Sequence, residues 1–129
     1  MQFTKMNDEL TILLSVYNGS KNENLFRNTL DSILNQTSNK SRVLIINDAS
    51  TDNTYKILDE YKLKFDFDII TNNVNLGMIK SYNNGIHHIK TKYLTFISDN
   101  NELYPTFAEE MLNYVESGDL DFARSLWMK

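Results

Sequence analysis

Apolar runs of strand length alternate with stretches of helical periodicity along the whole chain, a pattern that favours successive βαβ units on a mainly parallel sheet. The first run, Leu10 to Val16, is almost continuously apolar, as suits a strand covered by helices on both faces. A helix is expected from Glu23 to Asn35, with Phe26, Leu30, Ile33 and Leu34 on one face and Ser20 or Asn22 as its cap. A second strand, Arg42 to Ile46, runs into the polar turn Asn47 to Asn53, whose Ser, Thr and Asp residues can cap a helix carrying Ile57, Leu58 and Tyr61. The third strand, Phe67 to Thr71, precedes a helix expected to present Ile79, Tyr82, Ile86 and Ile89 on one face. The fourth strand, Tyr93 to Ile97, leads to Pro105, suited to the first turn of a helix that bears Phe107, Met111 and Val115 and ends at Gly118. Asp121 to Met128 reads as a fifth strand. The expected fold is α/β, a three-layer α/β/α arrangement around a Rossmann-like sheet. With no repeat or linker in view, residues 1–129 read as one domain.

Composition narrows the chemistry. A chain of 129 residues with 41% hydrophobic and 23% charged residues is ordinary globular material with enough length for one core. The absence of cysteine excludes a disulfide framework, a thiolate metal site and a thiol nucleophile. A net charge of −4 argues against a general binder of nucleic-acid backbone, so any phosphate ligand must be held locally. The N-terminal residues lack an apolar leader core, and no run approaches the roughly 18 apolar residues of a membrane span. The expectation is a cytoplasmic protein, free or peripheral to the inner face of the membrane.

In open parallel α/β sheets, ligands bind outside the carboxyl ends of the strands, where strand order reverses. Polar clusters fall at four such ends: Ser15-Val16-Tyr17-Asn18, Asp48, Asn72 to Gly77, and Ser98-Asp99-Asn100-Asn101. Loops are polar in any case, and Thr51 and Asp52 read as helix caps. Asp48 differs because it precedes the capping segment, which marks it as a candidate ligand-binding acid. Tyr17 either offers its ring to a nucleobase or packs at the mouth of the sheet. Gly77 either admits a ligand to the backbone or serves a tight turn, and Gly85 reads as a close-packing position within a helix. His87 and His88 read as structural or surface residues. Ser98, Asp99 and Asn100 offer oxygens suited to a hard cation such as Mg²⁺ or Mn²⁺, which could neutralise a diphosphate leaving group.

The motifs, taken in order, resemble the N-terminal half of the family 2 glycosyltransferases, which have the GT-A fold. Leu14-Ser15-Val16-Tyr17-Asn18 is similar to the family's strand-one ending, and Leu30 to Thr37 to its first-helix pattern. Ile45 to Thr54 resembles the segment written V-D-D-G-S-T-D-N-T. Asn75-Leu76-Gly77 and Asn83-Asn84-Gly85 resemble its two N-x-G elements, and Tyr93 to Asn100 lines up with the strand that ends in D-x-D. The resemblance implies a bacterial-type enzyme of polysaccharide biosynthesis that transfers sugar from a UDP-sugar to a glycan, lipid-carrier or protein acceptor. It also implies that Tyr17 and Asp48 hold the uracil, that Ser15 and Gly77 line the donor site, and that Ser98, Asp99 and Asn100 meet ribose, metal and diphosphate.

The chain departs from that pattern at particular residues. Asn47 stands for the first acid of the pair after strand two, and Ser98 and Asn100 stand for the two acids of D-x-D, leaving Asp99 as the carboxylate. No catalytic base is assigned, because Asp119 and Asp121 read as the turn into the fifth strand. The expectation is therefore a donor half, incomplete as an enzyme by itself, whose acceptor half lies outside these residues. The alternative is a non-catalytic nucleotide-binding or interaction module that kept the fold while its metal site decayed. A response-regulator receiver would need acids just after strand one, and Ser15 to Asn18 supply none.

Overall fold

The computed structural model describes residues 8–118. Four strands form one sheet: β1 (Leu10–Val16), β2 (Ser41–Asn47), β3 (Asp68–Thr71) and β4 (Tyr93–Ser98). They are parallel and ordered β3-β2-β1-β4. Four helices alternate with them: α1 (Glu23–Leu34), α2 (Thr54–Lys62), α3 (Met78–Ile86) and α4 (Phe107–Ser117). A short 3₁₀ turn (Gly19–Asn22) enters α1. The chain winds outward from β1 to β3 and then returns to the far side of β1, so strand order reverses between β1 and β4. The expected fifth strand lies outside the described residues.

Side chains alternate across the pleat, and this alternation divides the core in two. Leu10, Ile12, Leu14 and Val16 of β1 join Val43 and Ile45 of β2 under Phe26, Leu30 and Ile33 of α1, Ile57 and Leu58 of α2, and Ala108 and Leu112 of α4. The opposite face, with Leu13, Leu44 and Ile46, packs against Tyr82 of α3 and the Ile89 that follows it. Three helices thus cover one face and α3 the other, giving the three expected layers.

α3 corrects one expectation. Ser81 and Gly85 are its buried residues, while Ile79 and Ile86 are exposed. A Cβ at Gly85 would lie 2.6 Å from Ile46 Cδ1 and 3.0 Å from Leu13 Cδ1, so the small residues let this helix lie close against the sheet. The expected caps of α1 differ as well: neither Asn22 nor Ser20 caps it through a side chain. Asp52 does serve α2, since its Oδ1 accepts the Thr54 N–H at 2.9 Å. Pro105 sits in the turn before α4, two residues ahead of its start.

At the amino ends of the strands, Arg42 bridges Asp8 (3.3 Å) and Asp68 (2.5 Å) in a largely buried ion-pair cluster. That end of the sheet is closed by charge pairing. The polar clusters of interest lie at the opposite end.

Candidate functional site

The parallel register places the candidate residues on adjoining rungs. Ser15 pairs with Ile46 on one side and Ser98 on the other, while Val16 pairs with Asn47, and Asn47 with Thr71. Tyr17 and Asp48 therefore leave neighbouring strands at one level, and Asp99 leaves the strand on the other side of β1 one residue short of it, beside Val16. Two strand spacings, about 10 Å, separate the β2 and β4 lines.

The loops after β1 and β2 are stitched together. Asn18 adopts a left-handed conformation (φ 53), its N–H donates to Ser50 Oγ at 2.9 Å, and its Oδ1 accepts the Thr51 N–H at 2.7 Å. One turn on, the Ser20 N–H donates to Asp52 Oδ2 at 3.1 Å, and Ser20 Oγ accepts the Asn53 N–H at 3.2 Å. This pairing leaves the Tyr17 ring 46% exposed at the rim of the sheet.

Asp48 is 2% exposed and its carboxylate is wrapped by the β3–α3 loop. Oδ1 accepts from Asn72 Nδ2 and the Leu76 N–H, both at 2.8 Å, and Oδ2 accepts the Gly77 N–H at 2.9 Å. The Asp48 carbonyl also accepts from Asn75 Nδ2 at 3.2 Å. Burial alone would raise the carboxyl's pKa, but the Leu76, Asn72, Gly77 and Ser81 donors outweigh it and hold the pKa below the usual range. The first N-x-G element thus grips Asp48. Gly77 is needed for its backbone, since φ is +87 and a Cβ there would meet nothing within 4 Å.

Asp99 sits in a different environment. It is half-buried, and burial pushes its carboxyl above the ordinary value, with its own backbone N–H only partly offsetting. The neutral oxygens beside it engage one another: Ser98 Oγ donates to Asn100 Oδ1 at 3.2 Å and accepts from Asn101 Nδ2 at 2.6 Å. No group of three His, Cys, Asp or Glu residues among the described residues could hold a metal ion. The donor set here is one carboxylate, an amide oxygen and a hydroxyl, all hard oxygens that suit Mg²⁺ or Mn²⁺ but supply only one negative charge. It fits such a cation where a diphosphate completes the coordination.

The structure brings Ser15, Tyr17, Asp48, Gly77, Ser98, Asp99 and Asn100 to one sheet edge. Asn18 and Asn72, each named within a polar cluster at a strand end, carry loop geometry. Asn47 is fully buried, with Oδ1 accepting the Ser50 N–H at 3.1 Å, and its Nδ2 is the buried side-chain nitrogen without a protein partner among the described residues. One face of α1 holds the segment after β4. Leu103 N–H donates to Ser32 Oγ (3.1 Å), Gln36 Nε2 donates to Tyr104 O (2.8 Å), and Gln36 Oε1 accepts the Ala108 N–H (2.8 Å).

Comparison with known proteins agrees with this fold. A sequence profile of Glycosyl transferase family 2 matches residues 11–126. YibD of Escherichia coli K12, an uncharacterized glycosyltransferase, is 30% identical over 117 residues, covering 91% of this chain and 33% of that protein. A poly-beta-1,6-N-acetyl-D-glucosamine synthase of Staphylococcus epidermidis is 34% identical over 85 residues, 66% of this chain and 20% of the synthase. The chain therefore spans a third or less of the length of these relatives. Among solved structures, S. aureus TarS in complex with UDP superposes with a TM-score of 0.75 at 19% identity, covering 84% of this chain and 32% of that one. The mannosyltransferase PcManGT from Pyrobaculum calidifontis, in complex with GDP-Man and Mn²⁺, gives 0.74 at 15% identity, covering 87% and 33%. At these identities the structural likeness is one of fold.

Proposed function

The chain belongs to glycosyl transferase family 2, and from that premise we propose that its carboxyl sheet edge is the donor site of a transferase that uses a UDP-sugar. The observation that carries the reading is the register: Tyr17, Asp48 and Asp99 leave three adjacent parallel strands within one residue of the same level, next to the reversal of strand order. The exposed Tyr17 ring stacks on the base, and the Asp48 carboxylate accepts the imide N–H of uracil. Gly77 holds the loop that fixes Asp48, and Ser15 lines the floor. Ser98, Asp99 and Asn100 meet the ribose and the diphosphate. Where a divalent cation is bound by Asp99 and Asn100, it supplies neutralisation of charge on the departing diphosphate. The UDP held by one structural neighbour and the Mn²⁺ held by another are in line with this assignment.

In the whole protein the acceptor hydroxyl, on a glycan, lipid carrier or protein, attacks the anomeric carbon with inversion while the nucleotide diphosphate leaves. These residues account for the donor side only, and the proposal places the acceptor site and base elsewhere in the protein. Among the described residues no helix is long and apolar enough to cross a membrane.

Calorimetric titration of the chain with UDP, using GDP and ADP as controls, tests the reading with Mn²⁺ present and again with EDTA. The expected result is selective UDP binding at a Kd of about 1 μM, near −8 kcal/mol, that requires metal. Equal affinity for all three nucleotides, or none for any, overturns it. A second reading, a nucleotide-binding module with a decayed metal centre, is favoured by the lone carboxylate among mutually bonded neutral oxygens. UDP binding indifferent to EDTA would select that reading.

A further inference from the structure

The end of β4 is held from both faces of the sheet by hydroxyl groups that belong to neither the base-binding nor the phosphate-binding residues. On the α1 side, the Thr29 hydroxyl is fully buried and its proton is shared between Leu25 O at 3.0 Å and Asp99 O at 3.1 Å. On the α3 side, Tyr82 Oη donates to Ile97 O at 2.8 Å. Its ring packs edge-on against Phe96 of the same strand, with centroids 4.8 Å apart and planes at 64°. The Tyr82 hydroxyl is half-buried, the Ser15 N–H faces its oxygen, and the Asp99 carboxylate lies near enough to disfavour a phenolate. One hydroxyl therefore grips the carbonyl two residues before Asp99, and the other grips the carbonyl of Asp99 itself.

We infer that Thr29 and Tyr82 are positioning residues for Asp99, acting through the Asp99 and Ile97 carbonyls from opposite faces of the sheet. The physical need is specific to this chain. Ser98 and Asn100 add no charge, so the electrostatic attraction for a cation rests on one carboxylate, whose placement then matters more than in a site with several acids. Ser32 of α1 and Gln36, just past the end of that helix, pin residues 103–108, so the loop beyond Asp99 is anchored as well. Thr29 and Tyr82 differ from these anchors in acting on the rungs that carry the carboxylate.

The inference rests on the donor-site reading for its ligand and is tested so that the two can fail separately. Tyr82→Phe and Thr29→Val each remove one hydroxyl with little change of shape, and Thr29→Ser returns it. With the full chain and UDP, each of the first two is expected to lower affinity in Mn²⁺ at least threefold while leaving affinity in EDTA within twofold. Thr29→Ser is expected to restore the wild-type ratio. A purely structural role would lower the urea midpoint and leave the ratio of the two affinities unmoved, and that outcome overturns the inference. Amide resonances and hydrogen exchange at residues 99–101 of the unliganded chain give a readout that needs no nucleotide. Both variants are expected to shift these resonances and speed exchange there while leaving Leu76 and Gly77 unchanged. If residues 99–101 keep their wild-type resonances, the inference fails whether or not UDP binds; a wild-type chain that binds no UDP sinks only the donor-site reading.

Discussion

Asp48 and Asp99 each follow a strand of one parallel sheet, two strands apart, and meet opposite surroundings. Asp48 is nearly inaccessible, yet three nitrogen donors from a loop more than 20 residues away meet its oxygens and keep it ionised. Asp99 is more open, yet it lies among neutral oxygens that satisfy one another, and its burial favours the proton. What decides the state of each acid is the supply of donors, more than depth. An acid whose partners are internal is preorganised and costs the protein no further ordering when a ligand arrives. An acid without them keeps its attraction for an external cation. In the proposed donor site, the nucleoside end would thus be built in advance and the diphosphate end completed by what binds there.

Replacing the acid at the built end sets the largest effect. Asp48→Asn keeps the shape but turns one oxygen into a donor that faces other donors, so charge-assisted bonds from the β3–α3 loop are lost together with their geometry. The expected cost is about 2–4 kcal/mol of unfolding free energy, measured by urea denaturation at pH 7. A loss under about 0.5 kcal/mol would mean that the loop does not depend on this carboxylate. The contrast with Asp99 would then collapse.

A smaller effect of opposite sign is expected next door. Ala49 follows Asp48 with φ of 60, a left-handed conformation that L residues with a Cβ adopt at a cost of about 1–2 kcal/mol. Ala49→Gly removes that strain but gains entropy in the unfolded chain, and the net expectation is a stabilisation of about 0.5–1 kcal/mol in the same assay. A destabilised variant would show that the turn is held by something other than local backbone preference.

The elements themselves were legible because periodicity is local. β1 was read at its observed limits, and α1 within a residue of its end. Sheet order was not legible, because the return of β4 to the side of β1 is a long-range pairing with no local signature. The buried face of α3 was misread for a related reason. Ser81 and Gly85 carry little hydrophobic weight, yet they decide how near the helix can come to Leu13 and Ile46, and Ile79 was left outside as a consequence. At the site, Tyr17, Asp48 and Asp99 stood out by residue type and position at strand ends. Asn72 and Leu76 were read only as part of a polar cluster and Thr29 was not read at all, since the contacts through which they act exist only in the folded chain.

The smallest expected change in stability belongs to Asp99, and its pH dependence separates the two acids by sign. A carboxyl held below its unfolded pKa stabilises the fold above that value and loses the contribution as pH falls through the folded value. Asp48 and Asp52, both lowered from 3.8, belong to this class and weaken the fold in acid. Asp99 is raised from 3.8, so its contribution is present below that value and is lost as pH rises through the folded pKa. At pH 7 the wild type therefore carries a small penalty that Asp99→Asn relieves. The variant is expected to equal the wild type or exceed it by up to about 0.5 kcal/mol, while losing metal-dependent UDP affinity. As pH falls through the raised folded value the wild-type carboxyl takes up its proton, and below 3.8 the difference between the two should have closed. Paired urea titrations at pH 7 and pH 3.5 check this. A variant destabilised at pH 7 as strongly as Asp48→Asn would mean that Asp99 too is held by internal donors, and that the diphosphate end is built as fully as the other.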